Sequence, residues 1–271
     1  MSLVVELSRA VQGIEMMQTR YITFALVLLF FAGCVKDKIE TPVKDNTIEY
    51  FPLVTGQYID YAIDSIVFDD VSGGNIKDTV SYQIRELVSG FEISLAGDTI
   101  FYLHRSRRTN PDDNWQLTDV WTSGRSSSEA TRTEENLKFQ KLTFPLRDRR
   151  KWSSTSYIPT STTVLVGTET IEPYQDWESE VLDIDVADQV GVFSFGTGQV
   201  MHVLQSDIDD GSSRRFMLEK YVRNIGLVSR NDTILDSRCL ALGSFEECIG
   251  KPWVEHAGKG YILSQVMIGH N

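Results

Sequence analysis

Histidine and cysteine are scarce here: the chain has four histidines and three cysteines in 271 residues. His104, His202, His256 and His270 are dispersed without metal-ligand spacing. If His104 and His202 lie on strands, a sheet could bring them together, but nothing in the sequence requires it. No Cys-x-x-Cys is present, so a zinc ribbon has no basis. Phe193-Ser194-Phe195-Gly196 invites a nucleophile-elbow reading, yet Gly191 sits one position too early for Gly-x-Ser-x-Gly. Gly196 and Gly198 form a lone pair without a strand-loop-helix context, which is no phosphate cradle. Net positive charge is missing as well. At −12 the chain is a poor match for nucleic acid or anionic lipid, both of which carry negative charge. No internal repeat is visible, and no long segment keeps a 3.6-residue period, so any helix is short, with 240–249 the best candidate.

The one long apolar run is Tyr21 to Gly33, interrupted only by Thr23. Its thirteen residues fall short of the ~20 needed to span a bilayer and match the core of a signal peptide. Arg20 supplies the preceding positive charge. Glu6 and Glu15 are out of place in a signal, whereas a start at Met16 or Met17 would leave a short basic lead into the apolar run. The run closes on Phe31-Ala32-Gly33-Cys34, which resembles the lipobox of bacterial lipoproteins, with Phe31 where Leu is usual. That resemblance implies a signal peptide over 1–33 and a lipid on Cys34. Two or three acyl chains, at ~0.8 kcal/mol per buried CH₂, give stable attachment. Val35 replaces the Asp that retains some lipoproteins at the inner membrane, so the expected location is the outer membrane. Residues 34–47, charged and containing Pro42, are read as a lipidated tether, and 48–271 as a single domain.

Cys239 and Cys248 remain after Cys34. A close pair in an exported protein reads as a disulfide, worth roughly 2–3 kcal/mol for so short a loop. Within the domain the dominant period is two. Ile59, Tyr61 and Ile63 alternate with Asp60, Ala62 and Asp64, and Ser72-Gly73-Gly74-Asn75 turns the chain into a second strand at 79–88. Further strands are expected at 100–107, 115–121, 137–144, 181–186, 199–205, 215–222, 226–230 and 261–268. Gly124 to Ser128 reads as a turn, and the Ser/Thr-rich stretch 153–163 as irregular. Strands at roughly ten-residue spacing predict an all-β fold, a single large curved antiparallel sheet closing into a half-barrel or barrel.

Tyr50-Phe51-Pro52-Leu53-x-x-Gly56-x-Tyr58-x-x-Tyr61 resembles the opening of uncharacterised lipoproteins of the Bacteroidota. Leu142-x-Phe144-Pro145-Leu146 before Trp152, then Tyr221-x-x-x-Ile225-Gly226-Leu227-Val228, resemble later landmarks of that group. The likeness extends to exported proteins with a half-barrel sheet like that of lipoprotein carriers. It implies a fold and a location, and carries over no catalytic residue. Physically, Pro52 presets a strand entry, Gly56 permits a tight turn, and Gly226 fits a turn or a close backbone approach.

Candidate site residues are few. Asp207, Asp209 and Asp210 suggest a calcium loop, but Gly211 and Leu218 stand in the wrong places for one, and a solvated hairpin tip is the simpler reading. The basic groups Arg105/Arg107/Arg108, Arg147/Arg149/Arg150/Lys151 and Arg214/Arg215 read as solvated strand ends. Trp115 and Trp121, six apart, would face one side of a strand and could line a groove for a sugar or an apolar ligand. Trp152, Trp177 and Trp253 could join them. The expectation is therefore a non-enzymatic envelope lipoprotein with no cofactor and no metal. Its partners would be the membrane through Cys34, and an apolar ligand, a glycan or another envelope protein.

Overall fold

The computed structural model describes residues 46–69, 76–239, 243, 246 and 248–271. The signal segment, Cys34, nearly all of the tether, the turn at 72–75 and most of the helix expected at 240–249 lie outside the described residues.

Fourteen strands are present among the described residues: β1 (Tyr58–Phe68), β2 (Ile76–Ile93), β3 (Thr99–Arg108), β4 (Gln116–Arg125), β5 (Glu129–Glu134), β6 (Leu137–Thr143), β7 (Lys151–Trp152), β8 (Val164–Val166), β9 (Glu169–Ile171), β10 (Ser179–Val190), β11 (Phe193–Asp209), β12 (Ser213–Val222), β13 (Gly226–Ser237) and β14 (Ala257–His270). Twelve of them form one antiparallel sheet in the order β6-β5-β4-β3-β2-β1-β14-β13-β12-β11-β10-β7, while β8 and β9 form a separate small hairpin. The all-β fold expected from the period-two pattern is the fold observed.

The sheet curls until its two edges nearly meet. The Gln140 N–H of β6 donates to Ser154 O, two residues past β7, at 2.9 Å, and the Trp152 indole N–H donates to Gln140 O at 2.9 Å. Alternation decides which side chains enter the enclosed space. On β1, Ile59, Tyr61 and Ile63 are buried while Asp60 and Asp64 point outward to Arg85 and Ser81.

One end of the barrel is closed by a 3-10 helix (Asn46–Tyr50) and Phe51. Tyr50 and Phe51 pack among Ala130, Leu142, Val181, Met201, Val203, Tyr221 and Leu227. This helix opens two residues before the boundary expected at 48, and Thr47 Oγ1 already accepts from the Leu146 N–H at 3.1 Å. Pro52 is not in a strand; its ring lies against Gly226, whose φ of +106° is the conformation that favours glycine there. The opposite end is filled by the β8–β9 hairpin, Trp177, Met217 and Ile234. Cys239 and Cys248 are bonded to each other, with Cα atoms 6.4 Å apart, in the excursion between β13 and β14.

Several elements differ from the expectation. β4 runs on through Gly124 to Arg125, into the turn expected at 124–128, and β5 follows at 129–134, where no strand was expected. β13 extends seven residues past its predicted end at 230, through the polar run Asn231-Asp232-Thr233. In each case a charged residue takes a buried position, Arg132 and Glu134 in β5 and Asp232 in β13, and interrupts the apolar alternation that would mark a strand.

Candidate functional site

The middle of the barrel is ionic. Glu86 (β2), Arg105 (β3), Arg132 and Glu134 (β5), Lys141 (β6), Glu219 (β12), Arg230 and Asp232 (β13) converge there, four cations against four carboxylates. Each is aimed inward by its strand. In β5 the burial alternates, so Ala130, Arg132 and Glu134 face in while Thr131 and Thr133 face away. In β6 a bulge pairs Ala130 with Leu142 and Thr131 with Gln140, leaving Lys141 as the extra residue with its amine inside, 3% exposed.

The contacts bridge both flanks of the barrel. Arg132 donates to Glu86, and Lys141 to Glu219. Arg230 Nη1 donates to Glu134 Oε2 at 2.8 Å, and its Nη2 lies 2.8 Å from Asp232 Oδ2. Lys141 Nζ is also 3.7 Å from Glu134. Glu219 further accepts from Gln205 Nε2 at 2.6 Å and from the Tyr221 hydroxyl at 2.7 Å. Gln205 in turn donates to Lys141 O at 3.2 Å and accepts from Ser179 Oγ at 3.0 Å. Thus β5 and β6 are tied to β2 on one side and to β11, β12 and β13 across the interior.

Burial and charge compete at each group. Burial opposes ionisation of Glu134, but Arg230, Lys141 and Arg132 outweigh it and hold the carboxyl well below the usual carboxylate range. At Glu219 burial is again overcome, chiefly by Lys141 and Arg230, and its value is lowered. Asp232 goes the other way, because burial raises its value more than Arg230 lowers it. Arg105 is lowered by burial. Burial pushes the nearby Tyr174 hydroxyl up to about 12.

Two clefts flank this centre. Toward the 3-10 helix, Phe51, Leu53, Ile59, Tyr61, Val88 and Leu103 line an apolar cleft of only about 50 Å³ that ends on Glu86 and Arg132. On the other flank, Trp121, Glu134, Phe139, Tyr174, Arg230 and Tyr261 line a mixed polar and aromatic cleft of about 380 Å³. Trp121 is fixed in place: the guanidinium of Arg105 lies 3.6 Å and that of Arg132 5.0 Å from its ring centre, and its indole N–H donates to Glu135 Oε1 at 3.2 Å.

Trp115 and Trp121 do not share a face. A bulge at Thr118, where Arg105 pairs with Asp119 but Ser106 with Leu117, changes the alternation between them. Trp121 pairs with Leu103 and faces inward; Trp115 lies outside, between the guanidinia of Arg85 and Arg108 at 4.9 and 4.2 Å. Trp177 is core, its indole donating to Pro173 O at 2.7 Å, and Trp152 closes the seam. Trp253 lies on His256 and donates to Asp209 at 3.0 Å. Arg105 and Arg215 are not solvated strand ends, since strand alternation turns both inward, Arg215 onto Leu235 O and Asp236 at 2.6 and 2.5 Å. His104 and His202 lie six strands apart in the sheet order; His202 sits between Asp183 and Asp188 at 3.2 and 2.8 Å. Of the acidic loop residues, Asp210 accepts from the Ser212 hydroxyl and from the backbone N–H of Ser213 and Ser212, which draws it down to about 2, while Asp207 pairs with Arg214 at 2.5 Å. The sequence reading missed the centre itself. The available signal was the strict alternation of Met217, Glu219 and Tyr221, and of Ala130, Arg132 and Glu134, with a charged residue in each inward series.

No family model matches the chain, and no curated protein matches it. Two solved structures resemble it. One, from Bacteroides fragilis, is provisionally described as an exported protein with a YmcC-like fold; it has a TM-score of 0.40 and 7% identity, over 82% of this chain and 98% of the other. Another, from Parabacteroides distasonis, is provisionally described as a lipoprotein; it has a TM-score of 0.34 and 9% identity, over 82% and 98%. At those scores neither likeness bears on what this chain does.

Proposed function

We propose that this chain is a non-catalytic, lipid-anchored protein of the bacterial envelope, held at the outer membrane through acylated Cys34, and that the Trp121 cleft binds a polar ligand of the glycan class. The lipobox-like tetrad before Cys34 supports the anchor. The size and chemistry of the two clefts carry the ligand reading. About 50 Å³ beside Tyr61 is far below the ~300–1,000 Å³ of ordinary small-molecule sites, whereas about 380 Å³ beside Trp121 falls within that range. A buried charge network at the centre is a costly neighbour for an acyl chain. A sugar, with hydroxyls for Glu134 and Arg230 and an apolar ring face for Trp121 or Tyr174, suits the larger cleft. Calorimetric titration of the whole chain against a panel of neutral and acidic oligosaccharides tests this. At least one should bind saturably, with affinity roughly tenfold weaker in Trp121→Ala, a loss of ~1.4 kcal/mol. Trp121→Phe keeps a ring beneath Arg105 and should lose less. Failure of every oligosaccharide to bind, or binding unchanged by Trp121→Ala, would remove the reading.

A further inference from the structure

The β2–β3 hairpin carries three large apolar side chains into solvent within five residues: Phe91 is 58% exposed, Ile93 69% and Leu95 fully exposed. Val88 is the last β2 residue backed by the opening of the domain, where its N–H and O pair with Gln57 O and the Gly56 N–H. From there β2 has left β1 behind, while β3 stays paired with β4 as far as Ile100 opposite Gly124, so the tip from Ile93 to Thr99 projects by itself and carries Leu95 roughly 10 Å beyond the last β4 pairing. Its turn is closed by Ser94 and Asp98, so the tip is a built structure. Phe91 lies opposite Phe101, ring centres 5.7 Å apart, which leaves an aromatic pair behind the exposed Ile93 and Leu95.

This tip emerges at the end of the barrel where the chain leaves for the tether. Arg125 donates to Ile48 O and Phe51 O at 3.2 and 2.6 Å, fixing the 3-10 helix against the last residue of β4. Gly124 next to it pairs with Ile100, and Ile100 with Glu92. Two strand spacings, roughly 10 Å, therefore separate the base of the tip from the start of the domain. Residues 34–45 span at most about 40 Å when fully extended, so an anchor on Cys34 would keep the start of the domain within that distance of the bilayer. Val54, 59% exposed, adds to the apolar surface there.

We propose that the β2–β3 hairpin tip is a second membrane contact, in which Phe91, Ile93 and Leu95 enter the bilayer interface and fix the barrel's orientation. The proposal rests on acylation of Cys34, which brings the barrel to the membrane by the end that carries this hairpin. Isolated exposed apolar residues need no explanation, but three together on one projecting turn near the start of the domain do.

The test uses the full lipidated chain on vesicles of phosphatidylethanolamine and phosphatidylglycerol, with a polarity-sensitive fluorophore on Leu95→Cys. The comparison site is Leu165→Cys, on the β8–β9 hairpin at the other end of the barrel and 68% exposed. Flotation and intact mass report the anchor independently. The expected result is a floating, acylated chain whose Leu95 fluorophore shifts to the blue and is quenched severalfold more by bilayer-embedded quencher than the Leu165 one. A floating chain with both fluorophores equally aqueous overturns the hairpin contact and leaves the anchor standing. A chain that neither floats nor carries acyl mass overturns the anchor reading, and the hairpin proposal falls with it.

Discussion

The interior of this barrel holds two adjoining layers of opposite chemistry. Beneath the 3-10 helix, Tyr50, Phe51, Leu142, Met201, Val203 and Leu227 make an apolar plug. Next to it, Arg132, Glu134, Lys141, Glu219 and Asp232 make a buried ionic layer. Both join the same strands, and Leu142 follows Lys141 directly in β6. The plug stabilises through area removed from water and tolerates any side chain of fitting shape. The ionic layer contributes little net stability, because desolvation consumes most of the Coulomb attraction, yet it penalises every mispairing. In a sheet whose edges must find each other across a barrel, charges that match only in one register are a device for specificity, at the cost of fragility to single truncations.

That contrast can be broken directly. The largest loss is expected for Glu134→Ala, which leaves Arg230, Lys141 and Arg132 short of a counter-charge; urea unfolding should show ~3–5 kcal/mol of destabilisation. A loss under ~1 kcal/mol would mean that water already screens the layer. Leu142→Ala, in the plug, should cost ~2–5 kcal/mol, with the size set by how far the cavity collapses. Its effect should not depend on pH, whereas that of the ionic layer should. Glu134 and Glu219 have folded values below the unfolded carboxylate range, so the stability they give is complete above that range and is lost as the pH falls through it. Asp232, raised by burial, has the opposite sign and regains stability as it takes up a proton, which offsets part of the loss. With two groups against one, the unfolding midpoint should fall between about pH 5 and 3, and fall less steeply in Glu134→Gln. A midpoint flat across that interval in the unmodified chain would contradict the charge assignment.

The apolar alternation of β1 and the turn glycines made the fold class legible. Ile59, Tyr61 and Ile63 are buried as their spacing requires, and Gly56, in a turn, has a φ of +91°. β5 was not legible, since Glu-Ala-Thr-Arg-Thr-Glu resembles a solvated turn until Arg230 and Glu86 are seen waiting for its charges. Trp115 and Trp121 show the same limit in another form: a period of two assigns faces only while no bulge intervenes, and a single bulge at Thr118 sends them to opposite sides.

What the sequence determined alone is what depends on local periodicity: the β class and turns such as those at Gly56 and Gly97; the export segment ending at Cys34 is an expectation from short linear patterns of the same local kind. What only the tertiary structure decided is which polar residues are buried. Burial of a charge depends on a partner 46 to 96 residues away, as for Arg132 with Glu86 and Arg230 with Glu134; local alternation can mark an inward series but cannot name that partner. The closed sheet brings those partners together, and their mutual attraction makes the low-dielectric centre tolerable for each of them.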